Sequence, residues 1–337
     1  MKRYLKYVLI VFIVLLVLGA FAVYLLARKD VPKEIHYGMS FNMSYAKELG
    51  LDPHEVFNAI VDDLGVRRFR LSAHWDIVEP EDGIYDFKEL DYELSRVDQV
   101  HGTAILAVGR RLPRWPECHV PDWAAKLSWE EQKGKILAYI TTVVKRYRNN
   151  PAILYWQVEN EPFLTVFAHD HCGNLDEDFL KKEIQLVHSL DPTRPVLVTD
   201  SGNLGTWAGA YKLGDVFGTS MYIYLWNPQL GEFKTVIPPW FYRAKEGLMS
   251  FLYGPKKTLL IELSAEPWLL EPVTDAPLSL QYSRMNISKF NEILQYAKDA
   301  RYQDQYLWGG EWWYWLLQQG HSDMWDRGKA LFQNQDQ

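Results

Sequence analysis

Apolar and polar positions along the chain follow two alternating rhythms. Short apolar runs with strand character are followed by stretches whose apolar positions recur at helical spacing. The first run is His36–Phe41. The spacing then predicts a helix over 52–64, with Asp52 as cap, Pro53 in its first turn and Gly65 as stop. Further strands are predicted over 66–71, 103–108, 153–158, 195–199, 216–222, 258–261 and 306–315. Between and after them come helices over 87–100, 128–149, 176–190, 239–252, 279–300 and 323–332, with a short helical piece from Thr206. Ser128 and Glu131 form a capping box at the start of one of these helices. Eight strands alternating with helices over roughly 300 residues predict an α/β chain folded as a single-domain (β/α)8 TIM barrel over 36–337. A doubly wound open sheet is the runner-up, but it calls for a glycine-rich turn after the first strand, and Gly38 stands alone there.

The N-terminus breaks the rhythm. Tyr7–Ala27 carries no charge over 21 residues, and about 20 are needed to cross a bilayer. Lys2, Arg3 and Lys6 precede it, which predicts a cytoplasmic N-terminus over 1–6, a transmembrane signal-anchor over 7–27 and a linker over 28–35. The barrel is then expected outside the cytoplasm, at the cell surface or in a periplasm, with the membrane as a partner. A cleaved signal peptide ending near Ala20-Phe21-Ala22 is the rival, and it would make the protein secreted.

Composition sharpens the picture in one respect. The chain holds 14 Trp, 20 Tyr and 15 Phe among 337 residues, far more indole than a core requires. Flat amphipathic rings suit the apolar faces of sugars. A net charge of −7 with no long basic run excludes a nucleic-acid partner on electrostatic grounds. Two cysteines exclude a disulfide-dense scaffold and a four-cysteine zinc module.

In a parallel barrel, chemistry gathers where the strands end. The fourth predicted strand runs into Glu159-Asn160-Glu161-Pro162, and the seventh into Glu262 and, four residues on, Glu266. The two strands face each other across the barrel mouth. Two facing carboxyls suit acetal cleavage, one giving a proton to the leaving oxygen and the other attacking the anomeric carbon. Such chemistry implies no metal and no organic cofactor. Glu159 is expected to point away from Asn160, either facing solvent or pairing with a loop.

Asn160-Glu161-Pro162 at the end of a fourth strand resembles the signature of glycoside hydrolase clan A, as found in families 5, 10 and 42. Trp75-Asp-Ile-Val-Glu79-Pro80 followed by Gly83-Ile-Tyr-Asp-Phe87 resembles a run of the family 42 β-galactosidases. The resemblance implies a retaining hydrolase of β-glycosidic bonds in an oligo- or polysaccharide, with Glu161 as acid/base and Glu262 as nucleophile. Ile261-Glu262-Leu263 is similar to the Thr-Glu-Leu of family 10, which favours Glu262 over the alternative nucleophile Glu266. By the same resemblance Arg70 steadies the nucleophile, Asn160 contacts the sugar 2-hydroxyl and Tyr222 hydrogen-bonds the nucleophile, although Tyr224 shares its face. The Trp308–Trp315 run stands where the clan places a sugar platform, and Trp313 is the candidate. Trp75 and His74 lie at the rim beside Arg70, and His74 either binds a hydroxyl or caps a loop. Arg110, Arg111 and Arg114 are expected to line a subsite.

Cys118 follows the third strand and Cys172 the fourth, so a disulfide between neighbouring rim loops is expected outside the cytoplasm. A zinc set with His119 and His171 has no familiar ligand spacing. Two functions besides hydrolysis remain: a transglycosidase on the same carboxylates, and a sugar-binding barrel that no longer turns over.

Overall fold

The computed structural model describes residues 2–166, 172–173, 176–227 and 231–333. Its strands are β1 (His36–Ser40), β2 (Arg68–Ser72), β3 (Thr103–Val108), β4 (Ile153–Val158), β5 (Val196–Asp200), β6 (Val216–Met221), β7 (Tyr224–Asn227), β8 (Gly231–Lys234), β9 (Thr258–Ser264) and β10 (Asp304–Trp308). All except β7 and β8 pair in parallel and close into a barrel in which β10 returns to β1. The seventh and eighth barrel strands are therefore β9 and β10. The helices are α1 (Lys2–Leu26), α2 (Met43–Glu48), α3 (Pro53–Asp62), α4 (Trp75–Val78), α5 (Lys88–Gln99), α6 (Trp129–Tyr147), α7 (Glu177–Leu190), α8 (Ala208–Leu213), α9 (Pro239–Tyr253), α10 (Leu278–Arg284), α11 (Ile287–Ala300), α12 (Gly310–Gln318) and α13 (Asp323–Gln333).

Local chemistry sets the helix starts. Asp52 accepts from the backbone N–H groups of His54 and Glu55, and Pro53 fills the first helical position of α3, where its missing N–H costs nothing. At α6 the Ser128–Glu131 capping box is formed in both directions. The helices lay their apolar faces on the outside of the barrel, where Val56, Phe57, Ile60 and Phe69 share one core. A second cluster of Ile105, Tyr155, Leu197, Val216, Leu259, Ile261 and Tyr306 plugs the inside. Gly38 makes room for that plug: a Cβ there would stand 2.5 Å from the Tyr306 ring.

The structure corrects two expectations and adds one element. The run 306–315 is not one strand. β10 stops at Trp308, Gly309 turns the chain at φ 121°, and Gly310–Gln318 is helical. Only glycine enters that backbone region cheaply. The stretch 279–300 is two helices, α10 and α11, and Asn286 caps the second by accepting from the Lys289 N–H. The chain between β6 and α9 forms an unforeseen antiparallel hairpin, β7 with β8.

α1 is a single helix that meets the barrel only near its end. Arg243 Nε donates to the Ala27 carbonyl at 3.1 Å, and Lys29 pairs with Glu246 at 2.7 Å. Among the described residues no helix is long and apolar enough to cross a membrane, so the spanning segment expected over 7–27 is unsupported.

Candidate active site

Glu262 faces the barrel interior because of an irregularity in β9. Thr219 pairs with Leu260 while Ser220 pairs with Glu262, so one extra residue is accommodated at Ile261. Strict alternation would turn Glu262 outward with Leu260, which packs in the outer core. The bulge lets Ile261 fill the barrel plug while Glu262, next in sequence, also points inward, and it sends Leu263 outward.

Arg70 then organises the mouth. Its side chain, rising from β2, is 1% exposed. Nη1 donates to Glu262 Oε1 at 2.7 Å, Nη2 to Asn160 Oδ1 at 2.7 Å and Nε to Gln157 Oε1 at 2.8 Å. One planar guanidinium thus fixes three side chains from β4, its following turn and β9. The Tyr222 hydroxyl donates to the other Glu262 oxygen at 2.8 Å. Tyr224 does not reach the site; it sits on the hairpin and donates to Glu292. Gln157 carries no signal in the sequence beyond its place in β4.

The turn after β4 delivers the second carboxyl. Glu159 and Glu161 hold φ of 59° and 43°, a left-handed backbone that costs non-glycine residues about 1–2 kcal/mol each. Glu159 is turned away and accepts from the Arg110 and Arg111 N–H groups at 2.8 and 2.6 Å, bracing the β3 loop. Thr199 Oγ1 accepts from the Glu161 N–H at 2.8 Å. The Glu161 side chain is buried, and its Oε1 has no hydrogen-bond partner among the described residues. Burial holds its carboxyl well above the usual range, and the charges of Glu262 and then Glu117 add to that. Glu117 lies on the β3 loop at φ 67°, paired with Arg111 at 2.7 Å. It escaped the sequence reading because no motif surrounds it.

Other expected residues are placed differently. Glu266 lies beyond β9 and pairs with Arg114 at 2.8 Å, apart from the Arg70 fork. The Arg114 guanidinium covers the Tyr45 ring at 3.1 Å. Glu311, near Arg114, accepts from the Asn42 N–H at 2.7 Å and is pushed up to about 7 by burial. His74 stacks on His119 at 3.7 Å, and burial holds it well below the usual imidazole value, so it is neutral. Trp75 is fully buried. Its indole donates to Glu79 at 2.7 Å, and Glu79 also accepts from the Gly83 N–H at 2.9 Å. The Trp75…Glu79…Gly83 motif is therefore a loop brace, and Trp75, expected at the rim as a substrate-binding or supporting residue, lies inside it. Trp313 is corrected likewise: on α12 it is fully buried and donates to the Ala265 carbonyl at 2.8 Å. The aromatic wall beside Glu262 is instead Trp268 and Trp308, with ring centroids 5.5 and 6.3 Å from that of Tyr222. The Trp308 indole N–H is buried without a partner in the described residues.

Cys118 and Cys172 are bonded, with Cα atoms 5.5 Å apart, and tie the β3 and β4 loops together beside Glu117. His171 lies outside the described residues.

Residues 58–240 match the glycoside hydrolase 42 family, described as β-galactosidase. The chain belongs to that family. The matched stretch contains Arg70, Asn160, Glu161 and Tyr222 and stops short of Glu262. A relative, the β-galactosidase BgaA of Clostridium cellulovorans, is 25% identical over 176 residues, which are 45% of this chain and 25% of that protein. The chain thus spans about a quarter of this curated relative. Among solved structures, the GH5_18 protein of Bifidobacterium longum superposes with a TM-score of 0.57 at 12% identity, covering 82% of this chain and 70% of the other. Endo-glycoceramidase II from Rhodococcus sp., seen as a lactosyl-enzyme intermediate, superposes with a TM-score of 0.54 at 14% identity, covering 82% and 73%. Both likenesses are of fold. The (β/α)8 barrel and the glycosidase family of clan A are thereby established together.

Proposed function

We propose that the chain is a retaining β-glycosidase with Glu161 as acid/base and Glu262 as nucleophile, acting on β-galactosides or related β-linked glycans. The observation that carries this reading is the unlike setting of two carboxyls at one mouth. Glu262 is held by Arg70 and Tyr222 at 2.7 and 2.8 Å, as an ionised nucleophile must be. Glu161 is buried with one oxygen unpartnered and retains its proton, as a donor to a leaving group must. In the first half-reaction Glu161 protonates the glycosidic oxygen while Glu262 bonds to the anomeric carbon and the aglycone leaves. In the second, Glu161 takes a proton from water, and the water oxygen displaces Glu262. The β-galactoside preference rests on the names of the family and of BgaA.

The test is hydrolysis of aryl β-galactosides and a panel of other aryl β-glycosides. Glu262→Gln should abolish turnover of every substrate, and Glu161→Gln should spare only substrates with very acidic leaving groups. Turnover indifferent to both changes refutes the roles.

We also propose that α1 is embedded in lipid and that the barrel works outside the cytoplasm. Apolar side chains from Ile10 to Leu25 are 40–62% exposed, a helix that water alone does not favour. The reading requires burial in lipid, not passage through both leaflets. The Cys118–Cys172 bond suits an oxidising compartment.

A further inference from the structure

α9 is apolar on both of its faces. A helix on the outside of a barrel buries one stripe against the strands and gives water the other. In α9 Tyr242 and Met249 belong to the buried stripe. On the opposite side Trp240, Ala244, Gly247, Leu248 and Phe251 recur at spacings that again share one helical face. Trp240 is 45% exposed, Leu248 41% and Phe251 81%, and Leu252 and Tyr253 follow them into solvent. Among the described residues, no other helix of the barrel exposes more than one large apolar side chain. The three charged residues of α9 are turned to partners. Arg243 donates to the carbonyls of Ala27 and Asp299, Lys245 donates to those of Gly202 and Gly205 at 3.2 and 2.6 Å, and Glu246 pairs with Lys29 at 2.7 Å. The outward face is left to apolar side chains from end to end.

α1 grows out of the middle of that face. A Cβ on Gly247 would stand 2.1 Å from the Leu26 carbonyl oxygen, so this glycine is what lets the end of α1 touch α9. The contact is brief: from Leu25 back to Ile10 the large side chains of α1 are exposed. No linker therefore separates the apolar run of α1 from the barrel. The headgroup layer on either side of a bilayer's hydrocarbon core is only about 5–8 Å thick. With α1 held in lipid, α9 has no tether on which to stand clear of that layer, and its outward face meets it. A helix at such a boundary lays its apolar face about 5–10 Å deep, the setting that Trp240, Leu248 and Phe251 lack in water. A second copy of the barrel is a poorer occupant, because α1 projects from the centre of the face it would cover.

We propose that α9 lies along the bilayer surface over its whole length, so that the barrel rests on its flank. The helices of a (β/α)8 barrel run roughly along its axis, back against the strands. The catalytic mouth then opens along the membrane and not away from it. The proposal rests on α1 being lipid-embedded.

The test uses the full chain in phosphatidylcholine vesicles. One fluorophore is attached at a time, through Trp240→Cys or Phe251→Cys at the two ends of the α9 stripe, or through Ser95→Cys. Ser95 is exposed on α5, which lies between β2 and β3 and so on the opposite flank from α9, between β6 and β9. The two native cysteines are bonded to each other and do not react. Lipid spin-labelled in its headgroup should quench both α9 sites several-fold more than the Ser95 site. Quenching at either α9 site no stronger than at Ser95 overturns the flank orientation while leaving the anchor standing. Quenching at the α9 sites that fades as the protein-to-lipid ratio rises also overturns it, in favour of a second copy on the stripe. Failure of the chain to float with the vesicles after an alkaline wash overturns the anchor, and the orientation with it. Hydrolysis of a soluble aryl β-galactoside, assayed on the same samples, tests the glycosidase reading separately.

Discussion

Arg70 and Glu262 meet at 2.7 Å across the barrel mouth, one rooted in β2 and the other in β9. The same guanidinium holds Asn160 and Gln157, so the position of the Glu262 carboxyl is tied to that of the loop carrying Glu161. Arg70→Lys keeps the charge and loses the fork. A lysine cannot serve three acceptors in one plane. kcat for an aryl β-galactoside is expected to fall about 100-fold, equivalent to about 2.7 kcal/mol of transition-state stabilisation. KM should change little, because what is lost is orientation of the reacting groups. An equal loss in KM with kcat unchanged would place Arg70 in substrate binding instead.

The charge on Glu117 supports the proton on Glu161. Removing a negative charge lowers the pKa of a neighbouring carboxyl. Glu117→Gln is therefore expected to shift the alkaline limb of kcat/KM toward lower pH, because Glu161 loses its proton sooner. A pH–rate profile that shifts the other way contradicts the electrostatic role of Glu117.

Glu159 and Glu183 form a second buried carboxyl pair behind the site. Burial raises Glu183 well above the usual value, and the charge of Glu159 adds to this. Burial also raises Glu159. A carboxyl whose folded pKa is raised gives stability that is complete below its unfolded value, about 4.3, and is lost as pH climbs through the folded value. Tm of the native chain should accordingly decline as pH rises through that window. Glu183→Gln keeps a hydrogen-bond donor for Glu159 and does not titrate, so its Tm should decline less. Thermal melts at a series of pH values check this; parallel curves for the two proteins contradict it.

The Cys118–Cys172 bond spans 54 residues of sequence. Closing a loop of that size is worth about 4 kcal/mol in the chain-entropy account of disulfides. Cys118→Ser with Cys172→Ser should lower stability by about 2–4 kcal/mol in denaturant unfolding. It should also depress kcat, since Glu117 precedes Cys118 directly and loses its tether. Retained stability would mean that the hydrogen bonds of Glu159 to the Arg110 and Arg111 N–H groups and of Arg111 to the Leu164 carbonyl hold the β3 and β4 loops without the disulfide.

The barrel was legible in the sequence because its signals are local. Asp52 with Pro53 and the Ser128–Glu131 box mark helix starts, and each barrel strand except the last lies within a residue or a few of where its apolar run places it. The last strand misled because Tyr306–Trp315 is dense in aromatic residues on both sides of Gly309-Gly310, and aromatic residues suit strands and buried helices alike. Trp312, Trp313 and Leu316 are buried at a spacing only a helix produces, and the Gly309-Gly310 break was the available sign. Asn160, Glu161 and Tyr222 were legible because each follows a strand, and Arg70 because it lies within one that rises to the same rim. Glu262 was legible by position, but its inward aim depends on the bulge at Ile261, a register between neighbouring strands that no single run of residues reveals. Gln157 and Glu117 were hidden for the same reason: their partners, Arg70 and Arg111, are joined to them by the fold and not by a motif.

The central claim is that Glu262 bonds to the sugar. A 2-deoxy-2-fluoro galactoside with a good leaving group slows the second half-reaction and lets the glycosyl-enzyme accumulate. Proteolysis and mass spectrometry of the inactivated protein should locate the added sugar on Glu262, in stoichiometric yield, with Glu262→Gln unlabelled. Label on Glu266 in the active protein contradicts the account.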